Sequence, residues 1–134
     1  MNDIELFKSK LLLSDIVSQM EDMPQVECPV KHYFADGQYV RETLMPKGSI
    51  VIGKKHKHST VNIVMSGKAT LYDVEMGLLQ DIEAPFIFVS NPGVQKMAYF
   101  HEDTIWVNTH PTDETDLEKI ENIFIEKEEL ICHG

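Results

Sequence analysis

From Val30 to Thr109 the chain is a succession of short runs rich in β-branched and aromatic residues, each closed by a turn signal, and that grammar leaves little choice of fold. The runs are Val30 to Phe34, Gln38 to Met45, Ser49 to Gly53, Thr60 to Met65, Ala69 to Val74, Leu78 to Glu83, Phe86 to Ser90, Val94 to Phe100 and Thr104 to Thr109. Between them stand Asp36-Gly37, Pro46-Lys47-Gly48, Ser66-Gly67-Lys68, Ala84-Pro85, Asn91-Pro92-Gly93 and Glu102-Asp103. Asp36-Gly37 reads as a type I′ hairpin, whose two central positions both need positive φ. Eight or nine short strands with regular turns imply an all-β barrel or sandwich.

Both flanks change period. Ile4, Phe7, Leu11, Leu13, Val17 and Met20 recur at three- and four-residue steps, which predicts one helix, or two broken near Ser14-Asp15, docked on the sheet or on another subunit. Pro24 and Pro29 bracket an extended link. After His110-Pro111, the run Thr115-Asp116-Leu117-Glu118 reads as a capping box, so a helix is expected to about Glu128 with Leu117, Ile120, Ile123 and Phe124 on its apolar stripe. The layout is one domain: a helical segment over 1–23, a β-barrel over 24–111 and a C-terminal helix over 112–130 that packs on the barrel or a partner subunit. A chain of 134 residues buries roughly two-thirds of its unfolded surface, enough for one core.

The net charge of −10 argues against nucleic-acid polymers, whose phosphates repel such a surface. The one basic strip is Lys54-Lys55-Lys57. Cys28 and Cys132 form no metal-ligand spacing and read as reduced thiols. With no apolar run of about eighteen residues and an N-terminus carrying Asp3 and Glu5, a soluble cytoplasmic protein without a signal peptide or membrane contact is expected.

Chemistry concentrates in Gly53-Lys54-Lys55-His56-Lys57-His58 and the apolar run after it. On a regular strand His56 and His58 share one face about 7 Å apart, and Lys54 shares it with them. With Gly48 upstream, His56-x-His58, Asn62 four residues on and Gly67 closing the run, the segment resembles the first motif of the cupin superfamily. Asn91-Pro92-Gly93-Val94-Gln95-Lys96 is the nearest counterpart of the second. The resemblance implies a double-stranded β-helix, or jelly-roll, and a metal site of three histidines and one glutamate. This chain departs from that site: Asn62 stands in the glutamate's place, and Gln95 or Lys96 in that of the third histidine. A neutral amide is a poor ligand for a transition metal, and lysines add repulsion, so the same residues suit an anion.

The run from Met45 through His110 to Asp116 further resembles small single-domain cupins commonly encoded by bacteriophages, which implies a fold and a host-cytoplasmic setting without a reaction. The expected ligand set is Arg41, Lys54, His56, His58, Asn62, Gln95, Tyr99 and Trp106, around a small anionic or nucleotide-like molecule such as a host metabolite or signalling nucleotide. Arg41 offers a bidentate fork for carboxylate or phosphate, and Tyr99 and Trp106 offer aromatic walls. The alternative is a metal-dependent isomerase, lyase or dioxygenase holding iron, manganese, nickel or zinc through His56, His58 and His101, with His110 or Gln95 another candidate ligand. A third reading is a structural component of a phage particle. No cofactor is firmly implied and no catalytic residue is assigned; a homodimer is the expected assembly.

Overall fold

A computed structural model describes residues 28–73, 77 and 79–126. The expected helical segment over 1–23 lies outside the described residues. All nine strand expectations are met, with ends moved by a residue or two: β1 Val30–Ala35, β2 Gln38–Met45, β3 Ile50–Ile52, β4 Thr60–Ser66, β5 Lys68–Asp73, β6 Leu79–Glu83, β7 Phe86–Ser90, β8 Lys96–Phe100 and β9 Thr104–His110, followed by helix α1 Leu117–Phe124. They form two antiparallel sheets, β1-β2-β9-β4-β7 and β3-β8-β5-β6, wound as a double-stranded β-helix.

Strand period and register together fix what faces inward. Across the five-stranded sheet one inward row is Arg41, Asn108, Asn62 and Phe88, with exposed His32 beside Arg41 at the edge; the next row deeper includes Thr43, Trp106, Val64 and Phe86. From the facing sheet come Val51, Ala98 and Leu71, and then Phe100, Ala69 and Ile82. Val64, Phe100 and Leu71 are almost wholly buried in this core. One end of the sandwich is thus sealed by apolar side chains, and the polar row faces the other end.

Two turns show what glycine supplies. Gly37 has φ 71°, but among the described residues, Asp36 included, none other than glycine has positive φ, so the first hairpin is not the type I′ turn that Asp-Gly suggests. Gly67 has φ 97°, and a Cβ there would overlap the Thr104 side chain and lie 2.6 Å from the Asp103 carbonyl oxygen. That crossing of the β4–β5 turn over the start of β9 requires glycine.

Helix α1 begins one residue later than a threonine cap implies. Asp116 is the N-cap, its Oδ1 accepting from the amides of Glu118 and Lys119, while Glu114 Oε1 accepts from those of Thr115 and Asp116. Ile120 and Phe124 pack with Tyr39 on the open end of the barrel, whereas Leu117 and Ile123 are 45% and 42% exposed. Nor does α1 run to Glu128. Ile125 is extended (φ −108°, ψ 129°) and bridges to His56, with Lys57 N donating to Phe124 O and Glu126 N to Lys55 O. The helix stops because its exit is sewn to the loop after β3.

Candidate functional site

Between the sheets lies a cavity of about 140 Å³. Its deep wall is Leu71, Ala98, Phe100, Phe88 and Trp106; its outer wall carries Arg41, Lys54, His56, Asn62, Lys96 and Asn108, and Ile125 closes over it. Among the described residues none of the lining side chains is a carboxylate.

The cations reach it from different elements. Arg41 projects from β2, Lys96 from β8 and Lys54 from the loop after β3. Lys54 Nζ is held 3.1 Å from Glu121 Oε1 on α1, and Lys96 Nζ lies 4.8 Å from the centre of the Phe88 ring. Among the described residues Arg41 and Lys96 form no ion pair. Half-buried positive charge without a counter-charge is costly, and a small anion relieves it.

Asn62 is the hub of the outer wall. Its Oδ1 accepts from Trp106 Nε1 at 3.0 Å and Asn108 Nδ2 at 2.7 Å, and its Nδ2 donates to Thr60 O and to Ser90 Oγ, both at 3.1 Å. Four hydrogen bonds exhaust the amide. Asn62 therefore orients the indole and the Asn108 amide rather than presenting a free ligand atom. Asn108 was missed by the sequence reading, although it lies two residues from Trp106 on one strand and so shares its face.

The other expected residues separate. Residues 53–58 are loop, with His56 in a single bridge, so the two-residue strand period does not apply to the histidine pair. His56 lines the cavity, whereas His58 is exposed, with its ring edge-on to Phe124. Gln95 points away from the cavity, its Nε2 donating to Gly53 O at 3.2 Å, and the alternation of β8 brings Lys96 inward in its place. The same alternation turns Tyr99 to the outer face, against His101. His101 Nε2 lies 2.7 Å from Thr70 Oγ1, which donates to Asp81 Oδ1, on the outside of the four-stranded sheet. His56, His58 and His101 are not brought together.

No family model matches the sequence, and no curated protein matches it. Solved structures do match the fold. Ectoine synthase from P. lautus is 13% identical at a TM-score of 0.59 over 82% of each chain. A cupin superfamily protein from Desulfitobacterium hafniense DCB-2 is 9% identical at 0.54 over 68% of this chain and 83% of that one. This chain has the cupin fold. Salicylate 1,2-dioxygenase from Pseudoaminobacter salicylatoxidans, solved with gentisate, is 12% identical at 0.57 over 88% of this chain but only 34% of its own length.

The metal set implied by the cupin resemblance does not fit these residues. Among the described residues no three of His, Cys, Asp and Glu are grouped to hold an ion. The Asn62 oxygen already receives two N–H donors, and cationic Arg41, Lys54 and Lys96 line the same cavity. A divalent cation would meet repulsion where a cupin metal site supplies donors.

Among the described residues the imidazoles that do come together are His56 and His110, with ring centres 5.4 Å apart. His110 is buried between Tyr39 and Phe124, at 5.8 and 4.6 Å. Burial, with Arg41 and Lys54 adding to it, lowers the His56 pKa to about 4; burial, then His56 and Arg41, lowers that of His110 to about 4. Both are neutral at pH 7. The unfolded chain takes up these protons near pH 6.5 and the folded one only near 4, so their contribution to stability is lost as pH falls through that window, by up to about 1.4 kcal/mol per pH unit for each histidine. Thermal melts from pH 7 to 4 should fall more steeply for the wild type than for His56→Gln; equal slopes would contradict the assignment.

Among the described residues no helix is long and apolar enough to cross a membrane.

Proposed function

We propose that this cupin-fold chain is a binding protein for a compact anionic small molecule. The observation that carries the reading is the collar of Arg41, Lys54 and Lys96, with no carboxylate among the lining side chains, above an apolar pocket. The ligand's anionic group is held by the Arg41 fork and the two ammonium groups, and the organic part rests on Trp106 and Phe88. Lys54 is shared with Glu121 of α1, so ligand and helix compete for that cation. His56, kept neutral by burial and then by its cationic neighbours, becomes easier to protonate beside a bound anion, so binding in acid solution takes up protons.

Size narrows the class. The cavity volume of about 140 Å³ is close to that of an engineered cavity that admits benzene. A nucleotide is far larger and would place only its phosphate end in the collar. The sequence resemblance to phage-encoded cupins supports sequestration or sensing of a host metabolite as the setting. The competing reading, a metal-dependent enzyme, draws on the ectoine synthase and salicylate 1,2-dioxygenase that share the fold; here it would have to be built on His56 and His110.

Thermal shift of the chelator-treated full chain with inorganic phosphate, benzoate, benzyl alcohol and AMP is the test. A ligand that binds only the folded state at a hundred times its Kd adds about 2.7 kcal/mol. Stabilisation by an anion, and none by the neutral alcohol, is expected. No shift with any anion would sink the reading.

A further inference from the structure

The chain carries 22 acidic and 12 basic residues, yet β9, β4 and β7, which are adjacent in the five-stranded sheet, contain no Asp, Glu, Lys or Arg. The uncharged stretch around β7 runs from Ala84 to Gln95. On the outward side of this region Ile87, Val89 and Met65 are 66%, 61% and 57% exposed. Ile87 pairs with Ile63 and Val89 with Val61, so the apolar surface is continuous across the β4–β7 pair.

Strand β7 is also a sheet edge. Open edges invite pairing with another chain, and proteins blunt them with charge, proline or brevity. Three of the four edges here are blunted: β1 carries Lys31 and His32, β3 is three residues long, and β6 carries Asp81 and Glu83. Strand β7, Phe-Ile-Phe-Val-Ser, has none of these devices and among the described residues pairs only with β4.

We infer that β7 is the interface with a second copy of this chain, joined by antiparallel β7–β7 pairing about a two-fold axis at Phe88. The occupant follows from complementarity. Two bodies of net charge −10 repel each other over most of their surfaces, and the β7 edge is where they meet without opposed charge. An antiparallel strand matches itself: with the axis at Phe88, Ile87 of each copy lies across from Val89 of the other, and these outward apolar side chains pack side by side while the open backbone groups gain partners. Phe88 and Ser90 of the same strand line the cavity, so the contact also braces one wall of the binding site.

The test is the sedimenting mass of the full chain across a dilution series, beside Ile87→Lys/Val89→Lys, which places charge on two already exposed positions. The expected result is twice the chain mass for the wild type and half that value for the variant, with unchanged far-UV circular dichroism. Hydrogen exchange of the wild type, which needs no variant, should be slow in the dimer and fast on dilution at the β7 amides that point away from β4. A wild type that is monomeric throughout, a variant that still dimerises, or β7 exchange indifferent to dilution would overturn the inference.

Discussion

Arg41→Gln should weaken binding of the stabilising anion by roughly 30- to 150-fold, the loss expected when a charge-assisted contact of about 2–3 kcal/mol is removed. Arg41 sits mid-strand in line with Asn108 and Asn62, whereas Lys96 opens β8 and Lys54 lies in a loop, so its guanidinium is held where neither lysine can substitute for it. Arg41→Lys keeps the charge without the fork and should recover part of the loss. The substitution carries a second signature. Arg41 helps to hold His56, His110 and His32 below the ordinary histidine range, so all three imidazoles should titrate at higher pH in Arg41→Gln, read by NMR. Binding within threefold of wild type, with unmoved histidines, would remove Arg41 from the site.

Asn62→Leu should cost about 3 kcal/mol or more, lowering the midpoint of thermal unfolding by roughly 10 °C. The leucine fills similar space but strands the Trp106 indole N–H and the Asn108 amide, and it removes the donor to Thr60 O and Ser90 Oγ. Asn62→Asp is the sharper comparison. A carboxylate still accepts from Trp106 and Asn108 but faces the Thr60 carbonyl oxygen without a proton to offer, so it should fall between wild type and leucine. A melt of Asn62→Leu within 2 °C of wild type would show that water replaces the network and that the hub is dispensable.

How much of this was legible in the sequence depended on whether local period or tertiary contact decides a residue's place. The strands were legible because alternation and turn residues are local, and β7 or β9 reads the same in isolation as in the sheet. Arg41 and Trp106 were legible because they sit mid-strand, where the period of two holds. His58 and Gln95 were not. His58 follows a loop whose shape is set by the strap of Phe124, Ile125 and Glu126, and Gln95 precedes β8 by one residue, where a shift of one exchanges it for Lys96. The end of α1 was illegible for the same reason: Ile123, Phe124 and Ile125 continue a helical stripe, and only the bridge to His56 shows that the chain must extend there.

The most direct test of the central claim is calorimetric titration of the chelator-dialysed full chain with the anion that shifts its melting point, repeated at rising ionic strength. Saturable binding near one anion per chain is expected without added metal, weakening with salt and weakened further in Arg41→Gln. Binding that appears only after a divalent metal is supplied, and that vanishes in His56→Ala, would contradict it and return the site to metal chemistry.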